Sequence, residues 1–164
     1  MRIVYLDDIY IVCAPERVRY LHDALADSLW RHACIRINVG KTKMWNAAGE
    51  RPPTCDDLGA TASPAWVGDH ASPTQDQGLH ILGAPLGHPD FLQAKLDEVR
   101  ADHDRFLNVI PLVPDLQAAW ILLSMCASPR CNYLLRMLSP AATAGFAAAH
   151  DDATAARLRK LLYR

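Results

Sequence analysis

Two kinds of hydrophobic pattern alternate along the chain: short apolar runs rich in β-branched residues, and longer segments with helical spacing. Residues 2–14, "RIVYLDDIYIVCA", contain two short runs that meet at Asp7 and Asp8, which predicts a β-hairpin. Apolar residues occupy both faces of these runs, so we expect the hairpin to be covered on both sides. A helix from Glu16 to Cys34 should follow, because apolar residues recur there at helical spacing and define one buried stripe. These residues are Val18, Leu21, Leu25 and Leu29.

The next segments predict short strands separated by a long loop. Alternating Ile35 and Ile37 indicate a strand that Gly40 ends. Residues 47–78 combine prolines with Gly, Ala, Ser, Thr and Asp and contain few large apolar residues, which is typical of an irregular and mobile loop. Residues 78–87, "GLHILGAPLG", return to strand character, with a bend where the glycines and the proline lie.

From residue 89 onward the apolar spacing is helical throughout. The predicted helices cover residues 90–109, 114–127, 129–138 and 140–163. Three prolines fall where first-turn residues of these helices would lie: Pro114, Pro129 and Pro140. The predicted fold class is therefore α+β, with the strands in residues 1–88 and an all-helical region in residues 89–164.

Composition narrows the class of protein. With 51% hydrophobic residues, the 164-residue chain can form a packed core, and a formal charge of -1 gives no overall field that would attract a polyanion. The five cysteines form no C-x-x-C pair and no signal-peptide pattern is visible, so we expect an intracellular protein with reduced thiols. The longest strongly apolar run, "AAWILL", is far shorter than the ~20 residues of a membrane helix, so we expect no membrane partner.

The adjacent carboxylates of Asp7 and Asp8 are the strongest candidates for chemistry. Aspartate is a common turn residue that often bonds only its own backbone, so a purely structural turn is one interpretation. The turn lacks the glycine that tight hairpins favour, however, and two neighbouring carboxylates repel each other unless a cation neutralises them. Mg²⁺ is a suitable cation, because it takes one or two carboxylates and completes its shell with water and substrate phosphates.

The order of motifs around this pair resembles the reverse transcriptases of non-LTR retrotransposons and group II introns. "YLDD" at residues 5–8 is similar to the Y-x-D-D motif of the palm subdomain. An amphipathic helix follows, then "INVGKT" at residues 37–42, which is similar to an N-x-x-K-T pattern. "LHILGAPLG" at residues 79–87 is similar to the primer-grip strand with its L-G pair, and residues 47–78 would be an insertion before it. The resemblance covers residues 1–87 by motif, whereas the helices correspond to a thumb by position alone.

The resemblance implies a role for each matching residue. Asp7 would bind the metal, and Asp8 would lie beside it. Tyr5 would lie close to the incoming nucleotide or the template–primer, and Lys41 close to the leaving pyrophosphate, where an ammonium could stabilise charge. The primer grip would consist of Leu82 and Gly83, since a glycine allows close approach of the backbone.

The implied reaction is RNA-templated DNA synthesis, in which a primer 3′-hydroxyl attacks the α-phosphate of a nucleotide between two Mg²⁺ or Mn²⁺ ions. The implied partners are a duplex of RNA template and DNA primer, and a deoxynucleoside triphosphate. In the family, a third carboxylate and the fingers lie upstream of Y-x-D-D, whereas only four residues precede Tyr5 here. We therefore expect a fragment of an RNA-directed DNA polymerase that is inactive alone, because the N-terminal fingers and palm segment is missing.

Two other interpretations stay open. One is a non-catalytic nucleic-acid-binding module, supported by the basic end "RLRKLLYR", where Arg157, Lys160 and Arg164 could share one helix face. A solvated basic helix end is the structural explanation of the same residues. The other is a metal-dependent hydrolase that combines the aspartate pair with side chains of the loop, although their spacing matches no ligand motif. These side chains are Asp69, His70, His80 and His88.

Overall fold

Two antiparallel hairpins carry the strands of the first part of the chain. The computed structural model describes residues 2–5, 8–59 and 64–163. Strand β1 (Arg2–Tyr5) pairs with β2 (Asp8–Ile11), and β3 (Gly78–Ile81) pairs with β4 (Ala84–Gly87). The predicted hairpin at residues 2–14 is therefore confirmed, and residues 78–87, predicted as strand with a bend, form a second hairpin.

Five α-helices lie within the described residues: α1 (Val18–Ala33), α2 (Pro89–Val109), α3 (Leu116–Ile121), α4 (Asn132–Met137) and α5 (Pro140–Leu162). The predicted α+β class is confirmed, with helix as the main component. The chain divides into two compact units, Met1–Phe91 and Leu92–Arg164. The palm and thumb assignments of these parts stay predictions.

Two helix starts in the second unit, those of α3 and α5, follow local capping chemistry. Ser139 caps α5 by accepting a hydrogen bond from Ala142 N, and Pro140 occupies the first helical turn as predicted. At α3 the cap is Asp115, whose Oδ1 accepts from Ala118 N at 2.7 Å. Pro114 therefore precedes the cap, and its predicted place in the first turn is wrong, because the aspartate side chain is the better N-terminal acceptor.

Strand β2 and helix α1 are less deeply buried than predicted. The apolar stripe of α1 faces inward as expected, but its residues are only half-buried, and no residue of the helix is fully buried. On β2, Asp8 is exposed and the next three residues are half-buried. The expectation of a hairpin covered on both sides is wrong for β2, since covering both faces requires packing partners that the described residues do not supply.

The strand predicted at Ile35 and Ile37 does not form. Helix α1 ends on Cys34, which adopts a left-handed conformation at φ 54°, and Ile35 N donates back to Leu29 O at 3.3 Å. This C-terminal closure uses the backbone donor that a strand ladder would need. Ile35 is consequently 54% exposed, and the alternating pattern does not report a strand.

The described residues of the segment 47–78 are mostly irregular, as predicted, but they supply a buried cluster of the first unit. Cys55, Leu58 and Ala65 are each at most 4% exposed and pack with the half-buried Val18 and Met44. The expectation of few large apolar anchors agrees with this cluster, in which Leu58 is the large residue and Cys55 and Ala65 are small.

Backbone and ionic contacts hold this segment to the rest of its unit. Met44 N donates to Ala65 O at 2.7 Å, and Val67 N donates to Met44 O at 3.0 Å, which makes a short parallel bridge. On the other side, Arg19 of α1 donates to Asp57 Oδ1 at 2.6 Å and to Thr54 O at 3.0 Å. The segment is thus tied at two places to the residues that precede it.

The second unit has a denser core. One cluster joins α2, α3 and α5 through Leu107, Ile110, Ala119, Leu123 and Leu161. A second cluster is formed by Leu96, Cys131, Leu134 and Phe146. Two histidines, His103 and His150, are buried beside these apolar side chains.

Candidate metal-binding and primer-contact site

Asp8, Tyr10 and Leu82 are joined by two hydrogen bonds. Asp8 and Tyr10 lie two residues apart on β2, so both side chains project from the same face. The hydroxyl of Tyr10 donates to Asp8 Oδ2 at 3.1 Å and accepts from Leu82 N, also at 3.1 Å. One side chain therefore connects the hairpin β1–β2 with the turn of the hairpin β3–β4.

The turn between β3 and β4 consists of Leu82 and Gly83. Both residues have positive φ, 52° and 84° respectively, and Ile81 pairs with Ala84 across the turn. This is the geometry of a tight two-residue hairpin, which asparagine and glycine adopt most readily. Leucine at the first position is strained, since its Cβ crowds the backbone at positive φ.

The other residues of the predicted Y-x-D-D motif are only partly described. Tyr5 is the last residue of β1, and its Cα is paired with that of Asp8 in the strand register. Its side chain, and the whole of Asp7, lie outside the described residues. The predicted roles of Tyr5 and Asp7 therefore stay predictions.

The residues of the N-x-x-K-T pattern are held together by one backbone carbonyl. Asn38 O accepts from Lys41 N at 3.0 Å and from the Thr42 hydroxyl at 3.2 Å. These bonds close a short 3₁₀ turn, Val39–Lys41, whose last residue is the exposed Lys41. The pattern thus encodes a turn that presents a lysine, and the predicted contact of Lys41 with pyrophosphate stays a prediction.

The three basic residues predicted to share a face of the last helix have different surroundings. Arg157 is half-buried, and its guanidinium donates to Asn108 Oδ1 on α2. Lys160 is exposed in the last turn of α5, and Arg164 lies outside the described residues. Arg157 thus has a structural contact within its own unit, and a nucleic-acid role for these residues stays a prediction.

Asp8 has the donor chemistry that Mg²⁺ prefers, because its carboxylate is exposed and one of its oxygens, Oδ2, is held by Tyr10. Within residues 2–5, 8–59 and 64–163, however, no group of three His, Cys, Asp or Glu side chains could hold a metal ion. The described residues therefore fit part of a magnesium site, and further ligands would have to come from Asp7, water and phosphate.

Three of the four side chains of the hydrolase interpretation have other partners. Asp69 Oδ1 accepts from Ala71 N at 2.9 Å, and the ring of His80 lies 5.7 Å from that of Phe91. His88 Nδ1 accepts from the backbone N–H of Asp90 at 3.2 Å. These contacts cap turns and pack rings, and they give no support to a loop metal site.

Tyr10 is the site residue that the sequence did not single out. A signal was present, since a tyrosine two positions after Asp8 on a strand must share its face. The hydrogen bond to Leu82 had no such signal, because it depends on how two segments 72 residues apart come together.

No family model, curated protein or solved structure matches this chain. Among the described residues, no helix combines the length and the apolar character needed to cross a membrane.

Proposed function

We propose that this chain is part of a retroelement-type reverse transcriptase, comprising the C-terminal half of a palm and a helical, thumb-like segment. The observation that carries the proposal is the link from Asp8 through Tyr10 to Leu82. It brings together two motifs that the resemblance treats as parts of one site, the acidic turn and the L-G turn. Motif order alone would not require these turns to meet.

The proposed roles follow from the chemistry of each side chain. The carboxylate of Asp8, together with Asp7, would offer hard oxygen ligands to a divalent cation. Bound Mg²⁺ would supply electrostatic stabilisation of the entering and leaving oxygens in nucleotidyl transfer. The exposed ammonium of Lys41 would stabilise the charge that develops on pyrophosphate. The backbone at Leu82 and Gly83 would contact the primer, where the missing Cβ of glycine permits close approach.

The chain as given should not polymerise DNA alone. In the proposed reaction, a third carboxylate and a surface for the nucleotide and template are required, and the described residues supply neither. The proposal therefore concerns a part of an enzyme, and an upstream segment would complete it.

Mapping the 5′ end of the native transcript is the first test. If the reading frame continues upstream into a strand with another aspartate, the extended protein should extend a DNA primer on an RNA template with Mg²⁺. The Asp7→Asn variant of the extended protein should lose that activity. An extended protein that is folded but inactive, or that is unaffected by Asp7→Asn, would contradict the proposal.

The second candidate function is a nucleic-acid-binding module without catalysis. The feature that favours it is the exposed end of α5, where Arg159 and Lys160 lie in the last turn beside Tyr163, which is 86% exposed. Basic and aromatic side chains together suit contacts to phosphate and base. Binding of a labelled RNA–DNA duplex should then weaken steeply with salt and fall further in Lys160→Ala. Binding that is insensitive to salt would argue against this candidate.

A further inference from the structure

We propose that Tyr10 is a positioning residue that fixes the Leu82–Gly83 turn in front of the Asp8 carboxylate. The inference rests on the proposed function, because only there is the Leu82–Gly83 turn a primer contact and Asp8 a metal ligand. It explains what holds this turn at its position relative to Asp8. Its structural part concerns only three groups in one unit: the phenol of Tyr10, the carboxylate of Asp8 and the N–H of Leu82.

The chemistry of the three groups fixes the direction of both hydrogen bonds. At neutral pH an aspartate carboxylate only accepts, so the Tyr10 hydroxyl must direct its proton to Asp8 Oδ2. A backbone N–H only donates, so Leu82 N must bond to a lone pair of the same hydroxyl. Both functions of the hydroxyl are therefore used, and the bond to an ionised acceptor is the stronger kind.

The contact also addresses a weakness of the second hairpin. Leu82 begins its turn at φ 52°, a conformation that is unfavourable for a residue with a Cβ. In a two-residue hairpin, the N–H of the first turn residue is not part of the ladder between the strands. Tyr10 provides an acceptor for that N–H, so an outside side chain stabilises a turn whose own sequence does not favour it.

The consequence for the proposed site is geometric. The two hydrogen bonds, each of 3.1 Å, meet at the hydroxyl oxygen of Tyr10, which a rigid aromatic ring carries. A primer strand that contacts the Leu82–Gly83 turn would therefore be held at a set distance from a cation on Asp8. Positioning of this kind is valuable because small displacements of reacting groups slow a reaction strongly.

The test uses the full chain in solution NMR with the variant Tyr10→Phe, which keeps the ring and removes the hydroxyl. Tyr20→Phe is the matched control, because Tyr20 is 68% exposed on α1. Two quantities are measured for Leu82: the exchange rate of its amide proton with water, and the paramagnetic broadening of its amide signal by added Mn²⁺. Broadening at the Asp8 amide reports whether Mn²⁺ binds at the acidic turn.

We expect Tyr10→Phe to raise the exchange rate of the Leu82 amide at least tenfold and to reduce its broadening by Mn²⁺, while Asp8 stays broadened. Tyr20→Phe should change neither quantity. Unchanged exchange and broadening at Leu82 in Tyr10→Phe would overturn the inference, with the proposed metal site intact. If Mn²⁺ broadens no amide around Asp8 in the wild-type chain, the proposed function fails instead, and the exchange rate of Leu82 still decides whether Tyr10 holds the turn.

Discussion

The imidazole rings of His103 and His150 meet edge to face inside the second unit, with their centroids 5.4 Å apart. Both residues are at most 4% exposed, and the Nδ1 atom of each is buried with no hydrogen-bond partner among the described residues. Burial, with the charges of Arg130 and His150, lowers the pKa of His103 to about 4, and the nearby Asp102 and Asp104 oppose this only in part. His103 is therefore neutral at pH 7, and adding a proton to it is costly.

Acid should destabilise the second unit through His103. Its folded-state pKa of about 4 lies below the ordinary value of 6.5, so the unfolded chain binds the proton more readily. The stabilisation is complete above pH 6.5 and is lost as the pH falls towards 4. We expect the free energy of unfolding to fall by about 2 kcal/mol between pH 7.5 and pH 5.

Urea unfolding followed by circular dichroism at several pH values measures this effect. His103→Gln should reduce the change of the free energy of unfolding with pH, whatever the substitution does to stability at pH 7.5. His32→Gln, a change at an exposed histidine of α1, should leave the slope as it is in the wild type. An equal pH slope in His103→Gln and wild type would show that another group is responsible.

The turn at Leu82 gives a prediction of increased stability. Asparagine tolerates positive φ better than leucine, so Leu82→Asn should raise the free energy of unfolding by up to about 1 kcal/mol. Leu86→Asn is the control, because Leu86 lies on β4, where asparagine is unfavourable, and should not gain. Thermal unfolding of both variants measures the difference. A lower melting temperature for Leu82→Asn would mean that the leucine side chain matters more than its backbone conformation.

Much of the secondary structure could be predicted because it is decided locally. The bounds of α2, Pro89–Val109, differ by one residue from the predicted 90–109, since the helical spacing of its apolar residues is visible in the sequence. The second hairpin was recognisable from its strand residues around a glycine. These signals need no knowledge of distant segments.

Features that depend on contacts with another segment of the chain could not be predicted in the same way. Ile35 and Ile37 alternate as residues of a strand would. The backbone N–H of Ile35, however, donates to Leu29 O at the end of α1 and is not available to a neighbouring strand. The apolar stripe of α1 was recognised, whereas its depth of burial depends on what lies against it. For the same reason the candidate aspartate could be named from its motif, while the bond from Tyr10 to Leu82 could not.

Arg19 should hold the irregular segment to helix α1. Its guanidinium bonds Asp23 within the helix and Asp57 in the segment, and these contacts raise the pKa of Arg19 and lower that of Asp23. Because the pair is exposed, we expect a local effect rather than a large change in global stability. Arg19→Ala should speed amide exchange at Leu58, whose N–H donates to Cys55 O.

Arg31→Ala is the matched control for this experiment. Arg31 pairs with Asp27 on the same helix at the same i, i+4 spacing, but makes no bond to the described residues of the segment. The Arg31→Ala variant should leave amide exchange at Leu58 unchanged, as measured by hydrogen–deuterium exchange and mass spectrometry. Equal protection of Leu58 in Arg19→Ala and wild type would show that the backbone bridge at Met44 is sufficient.

Alkylation rates should separate the cysteines by burial. Cys34 and Cys126 are exposed, whereas Cys55 and Cys131 are buried, and burial raises the pKa of both buried thiols. A raised pKa reduces the thiolate fraction that reacts. Iodoacetamide at pH 8 should therefore label the exposed pair at least tenfold faster, as followed by peptide mass spectrometry. Equal labelling without denaturant would contradict the burial of the cluster that contains Cys55.

Two glycines should respond to the same substitution in opposite directions. A Cβ on Gly78 would lie 2.3 Å from a ring carbon of Phe91, and both residues are buried, so neither can move away easily. Gly78→Ala should therefore lower the free energy of unfolding of the first unit by about 1–3 kcal/mol.

On α5, a Cβ on Gly145 meets no atom within 4 Å, and alanine is the better helix former. Gly145→Ala should raise the free energy of unfolding by about 0.5–1 kcal/mol. Urea unfolding of the two variants tests both directions at once, and a stabilised Gly78→Ala would mean that β3 does not lie against Phe91.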